Sequence, residues 1–344
     1  MTTKRLSHVL GLILAAGLAG LAGAEPYRAS AAEPSPVKVM TSLPTLTVAV
    51  PFVMLAKHYD TAHGLAVDLS QAGGSSPLQI NAVLSGSVAY ATPGTPTALQ
   101  AIREGADIKI IAAIANNQIA TVINNAAMKK LNISPNAPIA DRIKGLKGLT
   151  IGTNPVGSTY YLMLRTYLKQ YGLDPDKDVR LVGIAETSAL ISGIEQGRFD
   201  AIVSASGVVE EAITMGSGTL WFSGARGDIP GTEAAMVCVV IARSDTIEKH
   251  PEEVAAIRAA LADALAAVRD DRAATGAVLK AKYFDKLDPA VWDLVWGGAT
   301  AAYPPSLAFT RASFDFWVAN EPKGPDYYKN VDYSKITLAA AQAP

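Results

Sequence analysis

Five short loops hold most of the residues in this chain that could do chemistry. They are Ser42 to Thr45, Gly73 to Ser76, Thr92 to Thr95, Gly157 to Tyr160 and Ser204 to Gly207. Each is small and hydroxyl-bearing, and each falls between a predicted strand and a predicted helix. A helix N-terminus presents free backbone N–H groups and the positive end of its dipole, which attract an anion without any Lys or Arg. Glycine lets the backbone approach a ligand closely, and Ser and Thr hydroxyls add donors. One such loop alone is first of all a helix cap. Five on one sheet edge, the edge where open α/β sheets bind ligands, point to a site for a small oxyanion such as a sulfonate, a carboxylate or nitrate.

Other constellations are weaker. His58, His63 and His250 are scattered and lack metal-ligand spacing, and His8 lies in the N-terminal segment. No G-x-S-x-G, Walker-type or G-x-G-x-x-G motif stands between a strand and a helix. Glu186, Glu210 and Glu211 could approach a cleft, but nothing marks a catalytic pair, and Glu210 and Glu211 read as a solvated helix face. Tyr160, Tyr161 and Trp221 either face a ligand or fill a core; facing the ligand would favour an aromatic carboxylate or a pyrimidine. Cys238 is the single cysteine and sits in an apolar run, which excludes an intrachain disulfide and points to a buried, inert thiol. Neither a metal nor a cofactor is expected. The formal net charge is −1, with no basic run carrying interleaved aromatics, so nucleic acid is not a partner.

The elements that position the loops repeat one order: strand, loop, short helix, glycine, strand. Val67 to Thr92 and Val179 to Val203 follow it in register when Gly86 is laid against Gly197. Two such units far apart in sequence predict two facing lobes with a ligand held between them. Strands are expected near 37–40, 65–70, 88–92, 108–115, 119–123, 149–152 and 235–241, with helices over 46–62, 77–85 and from Thr95. Ser76 and Thr95 are the expected caps, each followed by proline, and Ser204 to Gly207 is expected to open another helix. Beyond Pro251 the chain turns helical and alanine-rich.

Lys4 and Arg5 precede an apolar run from Val9 to Ala22 that ends in small residues, the pattern of a cleavable signal peptide. No cysteine follows the run, so the exported product is expected to be free in the periplasm, without a lipid anchor.

Several motifs then resemble the substrate-binding proteins that deliver nitrate, sulfonates and taurine to ATP-driven (ABC) importers. Gly73-Gly74-Ser75, Leu78-Gln79 and Gly86-Ser87-Val88-Ala89-Tyr90-Ala91 are similar to the pattern G-G-x-x-x-L-Q-x-L-x-x-G-x-V-D-x-A. Ile143 to Gly152, Gly172 to Val179 and Gly197 to Ala201 resemble further family motifs in the right order. Ser87, Ala89 and Leu149 depart from the family's usual charged residues. The resemblance, over about residues 37–320, implies an α/β, two-lobed periplasmic-binding-protein fold (type II) with two hinge crossovers near 116–120 and 234–242. Residues 1–31 would be signal peptide and linker, 36–118 plus 242–325 lobe one, 119–241 lobe two, and 326–344 a C-terminal tail. By position, the loops around Ser42, Gly74, Ser75, Thr92, Gly94, Ser158, Thr159 and Ser204 match those lining the family's cleft. Thr45, Ser76, Asn116 and Tyr160 complete the candidate ligand-binding set. The implied function is capture of a small solute and its delivery to ABC permease subunits by a monomeric protein that is not an enzyme. The rival is an enzyme of the same fold acting on a pyrimidine or other intermediate. The thiamine-pathway enzymes of that fold carry a histidine and a cysteine cluster, whereas this chain has one cysteine and no histidine in the loops.

Overall fold

The computed structural model describes residues 33–343, so the expected signal peptide lies outside the described residues. Two five-stranded mixed sheets organise the chain. The first contains β1 (Ser35–Thr41), β2 (Leu65–Gln71), β3 (Tyr90–Ala91), β4 (Ile108–Ala115) and β10 (Cys238–Arg243), in the order β2-β1-β3-β10-β4. The second contains β5 (Ile119–Asn124), β6 (Thr150–Thr153), β7 (Arg180–Gly183), β8 (Ala201–Ala205) and β9 (Gly218–Ser223), in the order β7-β6-β8-β5-β9. In each sheet the first three strands run parallel and the fourth is antiparallel to both neighbours. That antiparallel strand enters from the other sheet: β5 follows β4 after three residues, and β10 returns after β9. The two sheets are built alike and linked by two crossings.

The paired units account for this likeness. β2, the helix Ser76–Leu84 and β3 flank β1, just as β7, the helix Thr187–Glu195 and β8 flank β6. Gly86 and Gly197 follow the two helices with φ of +76° and +68°, the left-handed conformation that ends a helix and that only glycine adopts freely. The apolar run of β4 is buried almost along its whole length because helices cover both faces of its sheet. The helix Pro251–Asp270 packs on the helix Ala49–Ala56 and buries Val254, Ile257, Leu261, Leu265 and Val268, a stripe at helical spacing.

Several local expectations are corrected. The helix expected over 46–62 breaks at His58, whose φ is +59°, leaving Tyr59–Ala62 as a separate turn. Ser75, not Ser76, caps the helix Ser76–Leu84 by accepting from the Leu78 N–H at 3.2 Å, and Gly94, not Thr95, caps Thr95–Arg103. The prolines thus stand at the second helical position, and Ser76 is released for another contact. Ser204 to Gly207 does not open a helix: Gly207 is left-handed at φ +88°, and helix is regained only over Glu211–Thr214. The return strand, expected from 235, starts at Cys238. In the C-terminal segment Tyr328 and Ile336 are buried, and the Leu338 N–H donates to the Ile110 carbonyl.

Candidate functional site

The loops leaving the carboxyl ends of the parallel strands of both sheets enclose a cavity of about 80 Å³. This is well below the 300–1,000 Å³ of sites for drug-sized ligands, so the enclosed part suits a small group. One wall comes from the first sheet. Thr41 and Thr92, at the ends of β1 and β3, share a hydrogen bond between their hydroxyls at 2.7 Å. The Thr92 N–H donates to Gln79 Oε1 at 3.1 Å, and the Cys238 thiol donates to the Thr92 carbonyl at 3.4 Å. Ser76, freed from capping, accepts from the Gly94 N–H at 3.0 Å and ties two loops together. The other wall comes from the second sheet. Ser204 donates to Asn154 Oδ1 at 2.6 Å, and Ser158 caps the helix Thr159–Gln170 by accepting from the Tyr161 N–H.

The walls meet. The Tyr160 hydroxyl reaches Thr47 Oγ1 at 3.4 Å. A Cβ added at Gly94 would lie 2.1 Å from Thr159 Oγ1, so glycine is needed for this close approach.

Electrostatically the cavity is uncharged but oriented. No Asp, Glu, Lys, Arg or His lines it. Its two titratable groups both stay neutral: burial pushes the Tyr160 phenol up to about 12 and pushes the Cys238 thiol up. Residues from the first turns of the helices starting at Ser76, Thr159 and Thr187, together with the Gly94 cap, lie in the wall, so four positive dipole ends converge on one space. Thr45, also in the wall, has a buried hydroxyl with no partner.

Of the residues expected from sequence, Ser42, Thr45, Gly74, Ser76, Thr92, Gly94, Ser158, Thr159, Tyr160 and Ser204 line the cavity. Ser75 does not: it is spent on its helix cap and faces a neighbouring space. Asn116 does not either; its side-chain amide donates to the Ala301 carbonyl at 3.1 Å, tying the first crossing to the C-terminal segment. The candidate set omitted Thr47, Gln79, Asn154 and Thr187, all of which line the cavity. Gln79 belongs to a quoted motif, and Asn154 directly follows β6, a position that could have marked it.

Glu210 is a larger correction. It is 0% exposed rather than on a solvated face, with Oε1 accepting from Ser206 Oγ at 2.9 Å and Oε2 from the Gly207 N–H at 2.8 Å. Trp221 is buried in the second half, its Nε1–H donating to the Arg142 carbonyl, and Tyr161 lies against Arg165. Neither ring lines the cavity.

Residues 30–281 match the NMT1-like family. The chain belongs to that family. No curated protein matches it. Solved structures similar to this NMT1-like chain include the alkanesulfonate-binding protein SsuA from Xanthomonas axonopodis pv. citri bound to MOPS, with a TM-score of 0.66, 17% identity, and 91% of this chain and 100% of that one covered. The nitrate-binding protein NrtA from Synechocystis is similar at TM-score 0.67 and 14% identity, over 89% of this chain and 86% of that one. A Candida albicans protein that exhibits the generic periplasmic binding protein fold is similar at 0.65 and 14%, over 88% and 96%. These likenesses show the fold: this NMT1-like chain is a two-lobed α/β periplasmic binding protein in architecture. Among the described residues, no helix is long and apolar enough to cross a membrane.

Proposed function

We propose that the protein is a periplasmic solute-binding protein that traps a small anion between two lobes and delivers it to ABC permease subunits. The carrying observation is the uncharged cavity walled from both sheets and faced by four helix N-termini, an anion site that needs no counter-charge. Hydroxyls at Ser42, Thr45, Ser76, Thr92, Ser158 and Thr159 and the backbone N–H of Gly74 supply the donors, while Gly94 and Ser204, whose own protons are engaged by Ser76 and Asn154, shape the wall. Closure is a rigid-body movement of one sheet unit against the other about the crossings near 116–118 and before Cys238, with the lobes divided close to those points. The protein acts as a monomer. Two proteins of similar fold, SsuA and NrtA, bind an alkanesulfonate and nitrate respectively, which supports an oxyanion ligand.

Binding rather than turnover is favoured by the wall itself. A general acid or base needs a pKa near the working pH, and the two titratable groups there are pushed away from it. The aromatic-ligand reading keeps only Tyr160, since Tyr161 and Trp221 point elsewhere.

A thermal-shift screen against nitrate, sulfonates, carboxylates and pyrimidines tests the proposal. A ligand at a hundred times its Kd adds about 2.7 kcal/mol of stability. Stabilisation by an anion without chemical change is expected; turnover of the stabilising compound, or stabilisation by pyrimidines alone, overturns the proposal.

A further inference from the structure

The inner cavity opens onto a second, larger space of about 470 Å³. The two are continuous, because Leu43, Gly74, Ser76, Asn154, Ser158 and Thr187 belong to both walls. Their surfaces differ in kind. The inner one is small, hydroxyl-rich and free of charge. The outer one carries Leu43, 50% exposed, from the loop after β1, and Val156, 77% exposed, from the loop after β6. Val156 is the most exposed large apolar side chain among the described residues; with Pro155 it belongs to the second sheet's side of the cleft, and Leu43 with Pro77 to the first sheet's side. Apolar groups placed in water on both sides of a cleft have most to gain from a ligand that covers them. Glu186 is the one ionisable residue of the outer wall. It precedes the helix Thr187–Glu195, its carbonyl accepting from the Ala189 N–H at 3.0 Å, while its side chain caps nothing and makes no hydrogen bond or ion pair among the described residues.

Taking the anion-binding reading as its basis, we propose that the ligand is an elongated organic monoanion. Its anionic head fills the inner cavity, and an apolar tail of several carbons lies in the outer space between Leu43 and Val156. The end of that tail is uncharged or cationic, because Glu186 opposes a second negative charge there. A bare inorganic anion such as nitrate leaves the outer space unused, and a dianion meets the carboxylate. Each methylene covered in the outer space tightens binding roughly fourfold.

Isothermal titration of the protein with nitrate, with methanesulfonate and 1-hexanesulfonate, with acetate and hexanoate, and with hexane-1,6-disulfonate tests this. For the head group that binds, the six-carbon ligand is expected at least about tenfold tighter than the one- or two-carbon analogue. Val156→Ser should shrink that ratio by roughly threefold or more. Where the sulfonate head binds, the disulfonate should be weaker than 1-hexanesulfonate, and Glu186→Gln should narrow that gap while leaving the chain-length ratio in place. Equal affinity for short and long members, or nitrate binding tighter than every tailed anion, overturns the elongated-ligand proposal and leaves anion binding standing. Silence toward all six compounds overturns the anion reading, and this proposal with it.

Discussion

The backbone N–H of Leu46, just beyond β1 in the first sheet, donates at 3.1 Å to the carbonyl of Ser206, just beyond β8 in the second. This hydrogen bond spans the cleft without a side chain. Gly207 continues the contact: a Cβ there would lie 3.0 Å from the Phe284 ring and 3.2 Å from Leu46 Cγ. With Gly94 against Thr159 it shows the two halves closed on each other, so residues at these contacts govern closure as much as they govern the ligand.

Gly94→Ala separates the two roles. Gly94 has φ −63° and ψ 138°, which alanine adopts without strain, so the free protein should keep its melting temperature. The added methyl meets only Thr159 at short range, and the β-branched Thr159 has few rotamers by which to yield. Ligand affinity should fall by about tenfold or more, since a binding-competent state made rarer weakens binding in proportion. Small-angle scattering at saturating ligand should show a larger radius of gyration than for the unaltered protein. Adding Thr159→Ala removes the hydroxyl and should restore the compact form. An unchanged radius in the single variant would count against the contact as a closure determinant.

Glu210 predicts a pH dependence. Burial pushes its carboxyl up to about 7 from an ordinary 4.5, although Ser206 and the Gly207 N–H favour its charged form. A raised carboxyl pKa means that the folded state holds its proton more tightly than the unfolded chain. The associated stability is full below about pH 4.5 and is lost as pH rises through 7, a change on the order of 3 kcal/mol. Because both oxygens hold the Ser206–Gly207 turn that meets Leu46, ionisation acts on the closing contact directly. Urea melts from pH 5 to 8 should show stability falling with pH, and Glu210→Gln should flatten the profile. Parallel profiles for the two proteins would refute the assignment.

Glu210 also shows where sequence stopped being legible. Gly86 and Gly197 announced the paired units because a helix stop needs a local, residue-specific φ, and such needs are written in adjacent residues. The hydroxyl loops were legible for the same reason: Ser and Thr beside a strand end are local signals, and most of them face the cavity. The pair Glu210-Glu211 carries no local mark of burial. Glu210 holds the turn in which Gly207, left-handed, packs against Leu46 and Phe284, and both of those residues lie far off in sequence. Asn116 failed similarly, because its partner Ala301 belongs to a distant segment that passes behind the crossing.

Asn117 should prove the most sensitive polar residue of the first crossing. It is buried; its Oδ1 accepts from the Tyr167 hydroxyl at 2.8 Å and from the Ile119 N–H at 3.3 Å, while its Nδ2 donates to Thr232 Oγ1 at 2.9 Å. The amide therefore joins the outgoing crossing, the helix Thr159–Gln170 and the returning chain. Asn117→Ala leaves several buried groups unpaired and should cost about 2–4 kcal/mol, against about 1 kcal/mol for Tyr167→Phe, which removes one bond. In denaturant titrations the double variant should cost less than the two single losses together, as expected for residues sharing a hydrogen bond. Full additivity would show that the two side chains act independently.

Cys238 offers a readout of opening that needs no knowledge of the ligand. Its thiol lines the cavity, is 2% exposed, donates to the Thr92 carbonyl, and is pushed up by burial, so little thiolate is present at neutral pH. Alkylation by neutral iodoacetamide should be slower than that of a free cysteine by on the order of a hundredfold, and complete in denaturant. Residual labelling must pass through an opened cleft, since the other neighbours of β10 are β3 and β4 of its own sheet. A ligand that closes the lobes should slow it further, whereas Gly94→Ala, which holds them apart, should speed it and blunt the ligand's effect. A labelling rate indifferent to both ligand and Gly94→Ala would place the access route outside the cleft.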